Sequence, residues 1–337
     1  MLLLGISGGA DSVALLHLLL ENGYRNLILC HFNHQLRGAD SDDDATFVKN
    51  LATSLQLPFE LGTEDVQALA TREKLSLEAA AREARYEFFA RAAQKVASKR
   101  VMSNGVSTNE IINQQIVISG TDPLAPKHAT PKLLLAHHAD DQVETCFLHF
   151  LRGTGSAGLA GMLPVSQRTI DGIELTIVRP LLAISKKELI SFLTSHQLTW
   201  REDASNKSHL PTRNRLRNRV LPLLDELIGP SYRNAITRTA TILAAEDEYL
   251  ESLAAPQAQQ AELKTQELAA MPLALQRRVV HAWLRTHGFS EVSFVEVERV
   301  LSLLNLDGPA KVNLPGDAHT RRRSGIIFLE YPDERVV

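Results

Sequence analysis

The chain has 337 residues, room for two domains, and its 44% hydrophobic and 22% charged residues are those of an ordinary folded protein. A net charge of −3 excludes a uniformly basic nucleic-acid binder while leaving room for a local basic face. Two cysteines, Cys30 and Cys146, form neither a disulfide framework nor a CxxC site, which fits a cytoplasmic protein, and no apolar run reaches the ~18 residues of a membrane span.

The first stretch, LLLGISGGADSVALLHLLLEN over residues 2–22, sets the organisation. Leu2 to Ile6 predicts a buried strand, and Val13, Leu15, Leu16, Leu19 and Leu20 follow with helical spacing. No basic segment precedes this run and Asp11 interrupts it, so it does not read as a signal peptide. Between strand and helix lies Ser7-Gly8-Gly9-Ala10-Asp11-Ser12. Paired glycines at such a junction permit close approach of a ligand, and the helix start offers free N–H groups and a positive dipole end, which together suit a phosphate. No GxxxxGK[ST] is present, so the loop is not of the Walker type.

A second strand, residues 26–32, runs into HFNHQLRG (31–38), and the acids of 40–44 open a helix. Pro58 to Leu61 predicts a third strand, followed by helices over about 64–73 and 76–97. Arg82 and Arg85, three apart, share a face of the second helix, either solvated or directed at a ligand. Residues 99–131 lose helical spacing and read as a surface insertion. A strand from Lys132 to Ala136 then enters HHADDQVET (137–145), which continues as a helix. Strands alternating with helices to residue 151 predict an α/β fold, a doubly wound parallel sheet. Ligands in such sheets lie at the carboxyl ends of the strands, where SGGADS, HFNHQLRG and HHADDQVET all fall.

Farther on, residues 174–182 predict a strand, and Ser185 with Glu188 a capping box for a helix over 185–197. Helices are expected at 213–227 and 231–253, a linker at 254–260, more helix at 262–304 and β structure at 309–331. The domains expected are 1–208, catalytic, and 209–337, a smaller, mostly helical C-terminal region.

HHADDQVE is not an HExxH zinc motif and has no cysteine nearby. Asp141 and Glu144, three apart at a helix start, share a face, and with Asp11 they suit Mg²⁺ that keeps waters and bridges phosphates; the alternative is a pair of acids at a helix dipole. Lys207, Arg213, Arg215, Arg217 and Arg219 make a basic segment whose alternate spacing cannot put every arginine on one helix face, so some meet RNA or nucleotide while others pack or pair.

SGGADS resembles the loop of the ATP pyrophosphatases. With HFNHQLRG, AHHADDQVETCFLHFLRG, RPLL, EDASN, RNRLRN and LEAAAREARYEFF, over about residues 2–219, the chain resembles the tRNA(Ile)-lysidine synthetase family. The resemblance implies an adenine nucleotide alpha hydrolase-like sheet. It also implies a reaction in which ATP adenylates the wobble cytidine of tRNA(Ile) with a CAU anticodon and L-lysine then displaces AMP. By the same likeness Ser7, Gly8, Gly9, Ala10, Asp11 and Ser12 hold ATP phosphates, and Phe32 and His137 line the nucleotide pocket. Asp11, Asp141 and Glu144 act in catalysis, with Asp11 and Asp141 on Mg²⁺; Arg82 or Arg85 steadies the α-phosphate or the cytidine; and Arg213, Arg215 and Arg217 meet tRNA. Alternatives are an adenylating enzyme for another tRNA or a small molecule, and a non-catalytic nucleotide-binding regulator. The oligomeric state is open, with a homodimer as one option.

Overall fold

The computed structural model describes residues 2–102, 131–202, 212–289 and 291–331. They form two compact units, residues 1–154 with 161–240, and residues 155–160 with 241–337. The expected domain division at 208/209, the segment Ala204–Lys207 and most of the expected insertion (103–130) lie outside the described residues.

The first unit begins with β1 (Leu2–Gly5), α1 (Ala10–Glu21), β2 (Leu27–Asn33), α2 (Ala39–Ser54), β3 (Phe59–Thr63), α3 (Val66–Glu73), α4 (Leu77–Met102), β4 (Lys132–Leu134) and α5 (Ala139–Leu151). After a one-turn α6 (Ser156–Leu159) of the second unit come β5 (Val165–Ile170), β6 (Ile173–Val178), α7 (Lys186–Ser195), α8 (Thr212–Arg215), a π-helical turn (Leu216–Val220) and α9 (Leu221–Ile228). The sheet order is β3-β2-β1-β4-β6-β5, parallel except for β5. Alternation along β1 explains the two layers. Leu4 packs with α1, α2 and α7 on one face, while Leu3 packs with α3 and α4 on the other. Both faces are covered, as near-continuous apolar strands require.

The chain winds from β1 outward to β3, then returns to place β4 on the other side of β1. The crevice of this sheet is therefore at the carboxyl ends of β1 and β4, the point where strand order reverses. The capping box of α7 forms as expected, with Ser185 accepting from the Glu188 N–H at 3.3 Å and Glu188 accepting from the Ser185 N–H at 2.8 Å. β5 was not expected. It pairs antiparallel with β6 through Asp171-Gly172, both at positive φ (50° and 76°), a hairpin turn for which Asp-Gly is the usual sequence.

In the second unit, α10 (Ser231–Ala258) supplies its C-terminal part, followed by β7 (Leu263–Lys264), α11 (Thr265–Ala269), α12 (Leu273–Thr286), α13 (Phe294–Ser302), β8 (Lys311–Asn313), β9 (His319–Arg323) and β10 (Ile326–Glu330). The four strands form a sheet in the order β7-β10-β9-β8, whose pairings are antiparallel. Two expectations fail here: Leu263–Lys264, inside the expected helix 262–304, is a strand that pairs with β10, and residues 254–258 are helix, not linker. Ala254 and Ala258 are fully buried in the cluster around Trp283, and that packing carries the helix past Pro256. Among the described residues no helix is long and apolar enough to cross a membrane.

Candidate active site

The loop after β1 is shaped by its own hydrogen bonds. Ser12 Oγ donates to the Gly9 carbonyl at 2.9 Å and accepts from the Ser7 N–H at 3.2 Å, and Ser7 Oγ accepts from the Gly9 N–H at 3.3 Å. Gly8 sits at φ +88°, and a Cβ there would come within 3.3 Å of Phe47 and Val48, so only glycine passes the loop over α2 without strain. The N-cap of α1 is Gly9, which has no capping side chain, and Asp11 stands in the first turn. The helix start is thus left open to an anion.

Asp11 stands at a junction of charge. Its Oδ1 accepts from Lys186 Nζ at 2.5 Å, and its Oδ2 lies 3.7 Å from His138 Nε2. The same His138 nitrogen is 3.4 Å from Asp141 Oδ2, so the two carboxylates flank one buried imidazole. Asp141 also caps its helix, accepting from the His138 N–H at 3.1 Å. Lys186 follows the α7 cap, and its N–H donates to Asp140 Oδ2 at 2.8 Å, tying the β6–α7 connection to α5.

Glu144 is 1% exposed, and two arginines hold it there. Arg213 Nε donates to its Oε2 at 2.7 Å and Arg217 Nε to its Oε1 at 2.6 Å. Both guanidiniums also reach Asp141 Oδ1, at 2.9 and 3.0 Å. Burial pushes the Asp141 carboxyl up, but His138, Arg213, the His138 N–H and Arg217 outweigh it, and its pKa lies below the ordinary carboxylate value. Arg213 and Arg217 are four apart, on one face of a helical segment; Arg215 faces away, exposed, with Nη2 3.3 Å from Thr212 Oγ1.

Between these groups opens a cavity of about 480 Å³ in the first unit, lined by the loop, by the end of β2 and by His137 and Asp141. Phe32 and His34 form its far wall with edge-to-face rings 4.8 Å apart, and Arg85 reaches in from α4. His34 and His137 are each lowered to about 4: burial is the largest cause for both, and Arg85 adds to it in each case. Their Nδ1 atoms are buried without a hydrogen-bond partner. Neutral imidazoles with free polar atoms along an apolar-walled cavity suit a heterocyclic base.

Ser7, Gly9, Asp11, Ser12, Phe32, His137, Asp141 and Arg85 therefore meet at one cavity, with Gly8 and Ala10 shaping the loop. Glu144 stands behind Asp141, joined to it through the two arginines. Arg82, one turn before Arg85, is exposed. Lys186 and His34 were not singled out from the sequence, and His138 only as a member of the HHADDQVE stretch weighed against zinc. His34 lies in the HFNH motif and Lys186 beside the capping serine, so position alone could have marked them. Among the described residues no three His, Cys, Asp or Glu side chains form a ready metal set. Asp11 and Asp141, hard oxygen donors on either side of the His138 imidazole and both lining the cavity, fit instead an ion that arrives with a nucleotide and completes its shell with phosphates and water.

A family model for the PP-loop domain matches residues 1–103 and 123–224, and one for the TilS substrate binding domain matches residues 263–327. The first match skips residues inside the expected insertion. Fold, loop and match define a PP-loop protein. The chain is 34% identical over 324 residues to a tRNA(Ile)-lysidine synthase of Geobacter sulfurreducens, covering 92% of this chain and 60% of that protein. For the enzyme of the same name from Bacillus subtilis the values are 33%, 92% and 61%, and for that of Solibacter usitatus 34%, 97% and 68%. The chain belongs to the tRNA(Ile)-lysidine synthase family. It spans about three fifths of the length of the first two relatives.

Proposed function

We propose that the protein joins L-lysine to the wobble cytidine of tRNA(Ile) with a CAU anticodon, with ATP as the activating substrate. The observation that carries this reading is the meeting of the open helix start within SGGADS with Asp141 of HHADDQVE, backed by Glu144, at one cavity, in a chain of this family. In the first step the 2-carbonyl oxygen of the cytidine attacks the α-phosphate and pyrophosphate leaves. In the second the lysine side-chain ammonium gives up a proton, the neutral amine attacks C2 and loses a second proton, and AMP departs with that oxygen.

Ser7 to Ser12 and the free N–H groups of α1 suit the phosphates, and Phe32, His34 and His137 suit a base. Magnesium supplies charge neutralisation on the leaving pyrophosphate when bound, and Asp11 and Asp141 would hold it. Asp141, held by Arg213 and Arg217 with Glu144 behind it, helps to orient the lysine amine for attack. Arg85 faces the α-phosphate or the activated cytidine, and Arg215 faces tRNA.

The test is a reaction with purified protein, ATP and Mg²⁺. Pyrophosphate is expected only when the CAU tRNA is present, because the adenylyl acceptor is a base. Lysine is expected to be required for product but not for pyrophosphate. Mass spectrometry of the digested tRNA should read a gain of one lysine less one water. AMP accumulating on a small-molecule acceptor, with tRNA mass unchanged, would replace this reading with that of a general adenylating enzyme.

A further inference from the structure

Around Tyr86 the first unit gathers four arginines. The ring is 3% exposed, and the guanidinium carbon of Arg168 lies 4.3 Å from its centroid, those of Arg85 and Arg82 at 5.8 and 5.9 Å. Arg179, 8% exposed, meets the Tyr86 hydroxyl and donates to the Leu163 carbonyl at 2.7 Å and to Ser166 Oγ at 3.0 Å. The β5–β6 register explains the position of Arg168. It pairs with Leu175, whose side chain packs on the α4 face of the sheet, and this turns Arg168 over the Tyr86 ring.

Among the described residues none of these four arginines is ion-paired to a carboxylate, whereas Arg37, Arg201, Arg213, Arg217 and Arg233 in the same unit each are. The Nε atoms of Arg85 and Arg179 are buried with no acceptor. Crowded guanidiniums repel, and burying them without a counterion is costly; stacking on Tyr86 offsets only part of that. A cluster of this kind is incomplete until an anion arrives. It is open on two sides, since Arg85 lines the cavity and Arg82 is exposed.

We propose that the Tyr86 cluster is a seat for the RNA phosphodiester backbone beside the base that enters the cavity. The proposal rests on the RNA substrate put forward above. Phosphate could also come from the nucleotide, but the open helix start of α1 already serves those oxygens, and one enclosed anion does not need an arm at the surface. The planar forks of arginine match the two free oxygens of a phosphodiester, and stacking on a tyrosine presets their orientation.

The test measures binding of an RNA hairpin with the CAU loop to the full chain, without ATP, over a range of salt. Arg168→Gln is expected to weaken binding about fivefold at ~0.1 M salt and to lower the salt slope by about 0.7, the value for one single-strand phosphate contact. ATP binding should not change. Arg168→Lys should restore the slope but not the full affinity, since an ammonium is not a planar fork. Arg82→Gln, on an exposed helix face, gives a second reading if Arg168→Gln does not fold. An unchanged slope in the folded variants overturns the proposal, and so does a loss of ATP affinity in place of RNA affinity, which would assign the cluster to nucleotide phosphate. A hairpin with an unrelated loop, run in parallel, separates the two readings. Equal losses for both hairpins support the backbone seat even where no lysine is added to the CAU tRNA.

Discussion

Arg213 and Arg217 stand among acids, while Arg82, Arg85, Arg168 and Arg179 stand among one another. The first group is neutral within itself, two guanidiniums against Asp141 and Glu144. The second carries four positive charges around Tyr86 with no ion-paired carboxylate among the described residues. A cation that is to reach Asp141 must compete with arginine, and one that is to reach Asp11 must compete with Lys186. An anion that is to reach the Tyr86 cluster displaces no ion-paired carboxylate among the described residues. The acid end is therefore built to hold its geometry until a better cation comes, and the arginine end to wait for a ligand. Residue type alone does not distinguish these uses of arginine; the partners do.

The sharpest way to break the contrast is to remove the acid that anchors the first group. Glu144→Gln leaves two guanidiniums facing a neutral amide at a site that is 1% exposed. Breaking a buried pair from one side costs about 3–5 kcal/mol, and because both arginines can turn partly into water the expected loss here is about 2–3 kcal/mol. Urea unfolding monitored by circular dichroism reads it directly. A loss under about 0.5 kcal/mol would mean that the pairs contribute no more than surface ion pairs.

Between about pH 4 and 6.5 the arginine end should carry a pH signature that the acid end does not, because the lowered Asp141 carboxyl gives up its stability at still lower pH. His34 and His137 lie beside Arg85 with pKa values lowered to about 4. Above pH ~6.5 both folded and unfolded states hold them neutral, so they add no pH dependence. As pH falls below ~6.5 the unfolded chain takes up protons that the folded chain refuses until about 4, so stability declines over this window and levels off below it. By pH 5 the expected loss is on the order of 1–2 kcal/mol per histidine. His34→Gln, neutral throughout, should flatten the decline by roughly half. A wild-type urea midpoint that does not move between pH 7 and 5 would show that neither imidazole is held neutral by the fold.

Much of this contrast was legible in the sequence, in unequal parts. SGGADS, HFNHQLRG and HHADDQVET fell at strand ends because apolar runs stop where the chain turns polar, and a doubly wound sheet brings such ends together. The alternate spacing of Arg213, Arg215 and Arg217 already required that they diverge, and residues four apart do pair while the middle one faces out. β5 was missed although Asp171-Gly172 marked its hairpin, because Val165, Gln167 and Thr169 are exposed and the strand lacks an apolar face of its own. With β5 unread, Arg168 could not be set over Tyr86. That contact spans 82 residues of chain and depends on β-register, which composition and spacing do not reveal.

The smallest effect is expected at Arg215, and it bears on whether the acid end has any arginine left for RNA. Arg215 is exposed, and Thr212 Oγ1, 3.3 Å from its Nη2, is its near neighbour. Arg215→Ala therefore removes no ion pair, and its effect on stability should stay within about 0.5 kcal/mol. If the side chain meets a tRNA phosphate, the variant should lose about 0.7 of salt slope and roughly three- to fivefold of affinity near 0.1 M salt. Arg213→Ala should behave in the opposite way, losing stability through Glu144 and Asp141 more than it loses salt slope. Measuring both variants by urea unfolding and by salt-dependent tRNA binding sets the two arginines against each other on the same segment. An Arg215→Ala slope equal to wild type would remove Arg215 from the RNA contact, and an Arg213→Ala slope change as large as that of Arg168→Gln would show that RNA draws Arg213 away from its acids.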